Sequence, residues 1–221
     1  MTRLSHLLLD EKSLRLFTLD EGRISVGSIL NDESWPKLCI VNLAAGIIGA
    51  QRSGILDGVI GTIVGNNALA RANMKYDERK QFTFINDEFY LGPTDLDMQL
   101  VTLAKYGGSV VFAHQYLKQV EGFTREVMGT AGTRICFKLR REDAEIAARD
   151  FGIDPDELTS LRQFEAFMKT GDEVVKVNTP PPVFDGPDYS KEIMQNCLEK
   201  YYLKHGSRPV KQKAKLDYET L

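Results

Sequence analysis

The chain has 221 residues, 43% hydrophobic and 27% charged, an ordinary globular composition with enough apolar mass for a real core. Its formal net charge of -3 excludes a globally basic nucleic-acid binder, so any polyanionic partner must be met by a local patch. The three cysteines, Cys39, Cys136 and Cys197, and three scattered histidines show neither a disulfide framework nor metal-ligand spacing, and no membrane-length apolar run or signal peptide is visible, so a reducing, cytoplasmic setting is expected.

Residues 2–18 carry leucines at helical spacing and predict one or two short helices. Ile24 to Leu30 predicts a brief segment feeding a turn at Asn31-Asp32-Glu33. After Pro36, the apolar run Leu38 to Leu43 predicts a buried strand, followed by a glycine-rich loop (Gly46, Gly49, Gly54). A long helix is expected over about residues 52 to 73, with Ile55, Val59, Ile63 and Leu69 on one face. Its small residues Gly58, Gly61, Gly65 and Ala68 suit close packing on a sheet. Phe82 to Glu88 is an apolar, aromatic-rich run ending in two carboxylates, the pattern of a buried strand delivering acids to the carboxyl edge of a sheet.

Thr94 or Asp95 is placed to cap a helix running to about Lys105, ended by Gly107-Gly108. Ser109 to Ala113 predicts a second apolar strand, ending in His114-Gln115. A short helix near Thr124 to Met128 leads to a strand over Thr133 to Leu139. Arg141 to Phe151 predicts a helix stopped by Gly152, with a helical turn from Asp154-Pro155 to Leu161. Glu165 to Lys169 and Glu173 to Val177 predict a hairpin across Thr170-Gly171-Asp172. Pro180-Pro181-Pro182 marks a boundary, beyond which a helix over about Lys191 to Lys204 lies in a locally basic tail. The expected organisation is an N-terminal helical segment (1–36), an α/β core (37–179) and a Pro-rich linker with a basic helical tail (180–221). Alternating strands and helices predict a mostly parallel sheet with right-handed crossovers.

Ligands of open α/β sheets bind at the carboxyl edge of the strands, which draws attention to Asp87 and Glu88. In P-loop NTPases an equivalent strand carries two acids: the first holds Mg²⁺ through water, and the second orients or deprotonates the attacking water. The plainer reading is a strand-to-helix boundary with a capping carboxylate. Gln115 ends the next strand and would stand beside them. There an amide, which both donates and accepts, serves as a γ-phosphate or water sensor, or else caps the following loop.

A phosphate cradle of the form G-x-x-x-x-G-K-[ST] has no match in the chain. The nearest stretch, Gly46 to Ser53, has Gln51 where the second glycine belongs and Arg52 where the lysine belongs. It is read as an ordinary loop leading into a helix. Arg125, Arg134, Arg140 and Arg141 are candidates by residue type for the arginine that neutralises charge in phosphoryl transfer. Nucleophilic triads of the Ser/His/Asp or Cys/His kind have no support, because His6, His114 and His205 lack suitably spaced partners.

Phe84-Ile85-Asn86-Asp87-Glu88-Phe89, then Ala104-Lys105-Tyr106, then Val110 to Leu117 resembles the conjugative DNA-transfer ATPases. These are the type IV secretion coupling proteins (TraG/TraD-like) and their HerA/FtsK relatives. The similarity continues through Gly132 to Leu139, Glu142 to Glu145, Phe151-Gly152, Phe164 to Phe167 and the triple proline, and reaches back to Ile40 to Leu43 and the long helix. It implies a RecA-like core of the ASCE P-loop NTPase type, usually hexameric, that uses ATP and Mg²⁺ to move DNA at the cytoplasmic face of a membrane-bound secretion machinery. By this resemblance Asp87 and Glu88 match the Walker B acids, Asp87 as the Mg²⁺ ligand through water and Glu88 as the catalytic acid. Gln115 matches the sensor. Of the arginines that are candidates by residue type, Arg140 and Arg134 are put forward for the arginine finger. The chain departs from the family in two ways. The P-loop half is missing from it, so a P-loop-bearing partner chain or a ring of longer copies is implied. Ala104 also stands where the family often has an arginine. The rival expectations are an adaptor that keeps the fold without the chemistry, and a nucleic-acid-binding module acting through the basic tail.

Overall fold

The computed structural model describes residues 24–32, 38–43, 45–88, 102–117, 129–183 and 185–201. The expected helices in 2–18, at 94–101 and at Thr124 to Met128, and the basic tail beyond residue 201, lie outside these. The chain divides into two compact units, Met1–Pro181 and Pro182–Leu221.

In the first unit the elements run α1 (Val26–Asn31), α2 (Ala45–Ile48), α3 (Ala50–Leu69), β1 (Phe82–Asp87), β2 (Gly108–Ala113), β3 (Thr133–Cys136), α4 (Arg141–Phe151), α5 (Pro155–Thr159), β4 (Glu165–Thr170) and β5 (Glu173–Asn178). The fold is α/β, with a parallel strand pair flanked by helices. β1 and β2 pair in parallel from Phe82↔Gly108 to Asp87↔Ala113, while β3, β4 and β5 form a separate antiparallel sheet. Among the described residues the parallel arrangement is therefore confined to β1 and β2. The hairpin β4–β5 turns at Gly171, whose φ of 58° suits a residue without a Cβ, and β3 joins its outer edge.

Leu38 to Leu43 is not a strand. It has no ladder partner among the described residues, and Leu38, Ile40 and Val41 are exposed. An apolar run becomes a strand only where a neighbouring strand takes up its backbone hydrogen bonds.

α3 follows Gly49, which stands at a φ of 89°. Its buried stripe is Ser53, Gly54, Asp57, Gly58, Gly61, Val64, Gly65 and Ala68, a helical period made of small residues, while Val59, Ile63 and Leu69 are exposed. The small residues expected to pack closely, Gly58, Gly61, Gly65 and Ala68, are thus on the buried face. Val64, Ala68 and Leu103 form the buried centre of one core, against which Ile60, Phe82, Phe84, Tyr106 and Val110 pack. Gly108 makes room for this packing, because a Cβ there would lie 2.6 Å from Phe82 Cζ.

A second core is built from Ala144, Ala147, Ala148 and Phe151 of α4, spaced at i, i+3, i+4 and i+7, with Leu158, Leu161 and Phe167. α4 carries Glu142 and Asp143 in its first turn and Arg149 in its last, in accord with the helix dipole, and ends at Gly152 with φ 72°. α5 opens with a capping box in which Asp154 accepts from the Asp156 N–H and Glu157 reaches back to the Asp154 N–H. Among the described residues the second unit contains one helix, α6 (Ser190–Tyr201). No helix among the described residues is long and apolar enough to cross a membrane.

Candidate functional site

Alternation along β1 points Phe82, Phe84 and Asn86 toward α3 and Thr83, Ile85 and Asp87 to the other face. Asp87 is exposed at the carboxyl end of the strand. The chain then turns at Glu88, whose φ of 57° lies in the left-handed region that a non-glycine residue seldom adopts. Its N–H still donates to the Ala113 carbonyl at 3.0 Å, so the parallel ladder holds Glu88 beside the end of β2. There Gln115 Nε2 donates to Glu88 Oε1 at 2.8 Å. The two strand ends stand side by side, and an acid and an amide 27 residues apart in sequence form one hydrogen-bonded pair.

This pair carries useful chemistry. Glu88 is a two-oxygen acceptor, and the Gln115 amide both donates and accepts. Together they can orient a water molecule and take its proton. His114, next to Gln115 in the chain, is half-buried. Burial holds its imidazole below the ordinary value of 6.5, while the Tyr116 backbone and the Asp143 carboxylate pull the other way.

Behind the strand end lies a contact that the sequence alone did not reveal. Asn86 Nδ2 donates to Asp57 Oδ1 of α3 at 3.0 Å, and each residue is only 8% exposed. Burial raises the Asp57 pKa above 3.8, and the Asn86 hydrogen bond offsets part of that rise. Asp57 Oδ2 is buried and has no hydrogen-bond partner among the described residues. At the opposite end of the parallel pair, Arg71 is 1% exposed. Its guanidinium donates to the carbonyls of Leu30 (2.5 Å), Lys80 (2.8 Å) and Tyr106 (3.0 Å) and to Asn31 Oδ1 (2.9 Å), and lies 4.8 Å from the Phe82 ring centroid. Lys80 and Tyr106 lead into β1 and β2, so this one side chain gathers the starts of both strands. The sequence did carry a signal for each residue: Asn86 has inward parity behind Phe82 and Phe84, and Asp57 and Arg71 continue the small stripe of α3.

Arg134 and Arg140 differ in their surroundings. Arg134 Nη1 is 3.3 Å from Asp150 Oδ1, and Lys169 Nζ is 3.9 Å from the same oxygen. Arg140 is exposed at the N-cap of α4. Arg141 is engaged by Glu145 and Asp156, and Arg125 lies outside the described residues. In the stretch from Gly46 to Ser53, Arg52 Nη1 donates to the Ile48 carbonyl at 3.1 Å and Ser53 is buried, the geometry of a helix start.

Among the described residues no group of three or more His, Cys, Asp or Glu side chains could hold a metal ion. A magnesium-type ion asks less of the protein: one or two carboxylates, with water and phosphate completing the octahedron. The exposed Asp87 with the adjacent Glu88 matches that share.

No family model and no curated protein matches the chain. Among solved structures it is similar to the genome packaging NTPase B204 from Sulfolobus turreted icosahedral virus 2 in complex with AMPPCP. The TM-score is 0.45 at 12% identity, over 57% of this chain and 63% of that one. It is also similar to VirB4 of Thermoanaerobacter pseudethanolicus, with a TM-score of 0.44 at 14% identity, over 62% of this chain and 39% of that one. The chain thus spans less than two thirds of either structure's length.

Proposed function

We propose that the chain is the C-terminal portion of an ATP-driven DNA-translocating motor of the conjugation or type IV secretion coupling type. In this reading it supplies the second half of a nucleotide site. The observation that carries the reading is the Glu88–Gln115 pair at the shared carboxyl edge of two parallel strands, with Asp87 exposed beside it. Asp87 would hold the water shell of a Mg²⁺ ion. Glu88 accepts the proton of the attacking water, and Gln115 fixes the Glu88 carboxylate and reads the water or the terminal phosphate. The bound Mg·ATP would supply the electrophilic phosphorus and its charge neutralisation. The phosphates need a backbone cradle and a lysine, and no G-x-x-x-x-G-K-[ST] run occurs in the chain. A P-loop-bearing segment, in a longer form of this chain or in a partner, therefore completes the site, and the chain by itself turns over no ATP. A ring of copies, DNA as the transported polymer and a secretion machinery at the membrane are the partners of this reading.

The missing cradle also favours a second reading, an adaptor that keeps the fold without hydrolysis. The test is ATP hydrolysis by the chain joined to, or mixed with, the P-loop segment encoded nearest to it, with and without DNA. Glu88→Gln is expected to lower kcat by roughly 10²–10⁴-fold, the usual contribution of a positioned general base. Hydrolysis left intact by Glu88→Gln refutes the assignment of the acid. If no nucleotide binds in any combination, the adaptor reading stands.

A further inference from the structure

Position 86 is the third inward position of β1, after Phe82 and Phe84, and faces the buried stripe of α3. Across the ladder it pairs with Phe112, and the two preceding inward pairs are Phe82↔Gly108 and Phe84↔Val110. Every other inward side chain in these three rows is apolar or absent. An amide in such surroundings is costly unless its donors are met, and a carboxyl more so. Here each is the other's partner, at 3.0 Å.

Such a pair does what apolar packing cannot. A slip of β1 by one residue would expose its aromatic face, so hydrophobicity alone forbids it. A slip by two residues keeps the inward parity and puts Phe84 where Asn86 stands. At the carboxyl end of the strand the polar pair discriminates against that slip, because it would set a phenyl ring against the Asp57 carboxyl and leave the carboxyl unpaired. The axial position of β1 in turn decides where the next two residues lie. Asp87 is opposite Ala113, and Glu88, turned by its left-handed backbone, meets Gln115.

We propose that Asp57 and Asn86 are positioning residues: their buried hydrogen bond fixes the axial register of β1 and so places Asp87 and Glu88 against Gln115. The functional weight of this rests on the reading of Asp87 and Glu88 as the metal- and water-handling acids, but the geometric claim stands apart from it. The small face of α3 serves the same end. Gly54, Gly58 and Gly61 flank Asp57 on the buried stripe, so the helix backbone can approach the strand closely enough for a short side chain such as Asp to reach Asn86.

The test reads the Glu88–Gln115 pair in the chain alone, by the ¹⁵N–¹H resonances of the Gln115 side-chain amide, assigned by their loss in Gln115→Met. In Asp57→Ala these resonances are expected to move toward the position of a solvated amide. In Asp57→Asn, which keeps an acceptor for Asn86, they return to the wild-type position. The exchange Asp57→Asn with Asn86→Asp keeps one hydrogen bond in the same place and is also expected to show the wild-type resonances. A merely structural role lowers the stability of Asp57→Ala and leaves the Gln115 amide where it was, and that outcome overturns the proposal. A displaced amide in the exchanged pair overturns it equally, even if Asp57→Ala fails to fold. Neither readout uses nucleotide. A failure of the hydrolysis test with Glu88→Gln is thus distinct from a failure here.

Discussion

Arg71 offers the most demanding test of how the parallel pair is held. The Arg71→Met substitution keeps much of the aliphatic stem and removes the guanidinium. Four hydrogen bonds disappear, to Leu30, Asn31, Lys80 and Tyr106, and the ring contact with Phe82 goes with them. Hydrogen bonds to a charged group contribute about 1.5–3 kcal/mol each, so a naive sum would be of order 10 kcal/mol. That sum is too large, because the wild type bears the desolvation of a buried guanidinium whose partners among the described residues are all uncharged. Losing the charge recovers that penalty, and water can reach part of the space. What remains is the cost of leaving the four acceptors without donors, about 1–3 kcal/mol each at most, so after the recovered desolvation a net loss of about 3–5 kcal/mol is expected. Against a total stability of roughly 5–15 kcal/mol this is a large fraction, equivalent to a Tm fall on the order of 10 °C for a chain of this size. Urea unfolding followed by far-UV circular dichroism measures it. Arg71→Lys is expected to fall between, because an ammonium cannot span four acceptors set around a planar fork. An Arg71→Met midpoint within about 1 kcal/mol of wild type, at unchanged m, would refute the idea that Arg71 gathers the strand starts.

Two further outcomes follow from ionisation. Asp57 keeps its proton to higher pH in the folded chain than in the unfolded one, so the native state binds more protons. Its contribution to stability is greatest below the ordinary value of 3.8 and is lost as pH rises through the raised folded pKa. Asp57→Asn should therefore be at least as stable as wild type at pH 7, with the difference vanishing below about pH 4; a constant difference across that range sinks the argument. Burial, with the nearby Asp150 carboxylate, pushes the Cys136 thiol up to about 11, with Arg134 pulling the other way, whereas Cys39 is exposed. At neutral pH a thiol reagent should label Cys39 rapidly and Cys136 only at the rate of unfolding, and equal labelling rates in the native protein would contradict this.

The features legible in the sequence were those with a local signature. The apolar run stopping at Asp87-Glu88 and the next one stopping at His114-Gln115 mark strand ends because a buried strand carries polar residues only where it leaves the core. Parallel pairing then puts the two ends together. The helix Arg141–Phe151 was readable from its i, i+3, i+4 alanines and its terminal glycine. What escaped depended on partners distant in sequence. Leu38 to Leu43 has strand composition, but composition does not supply a neighbour for its backbone. Asp57 continues the small stripe of α3, but nothing local says what it meets there until the strand 29 residues later presents Asn86 to it. The small stripe of α3, by contrast, is legible in the sequence: close packing rewards small side chains, so the glycines lie inward while Val59, Ile63 and Leu69 are exposed.

That stripe also governs when the helix can exist. Four glycines inside α3, at 54, 58, 61 and 65, each cost about 1 kcal/mol of helix propensity relative to alanine. Nucleating a helix in water is already unfavourable, so residues 50–69 have little tendency to coil up alone. α3 becomes a helix by docking, and its surface for docking includes β1, which follows it in the chain. The helix is therefore expected to form together with the strand it docks on, closing the Asp57–Asn86 contact as the two condense. The acids at the end of β1 and the helix behind them then depend on one another for their existence.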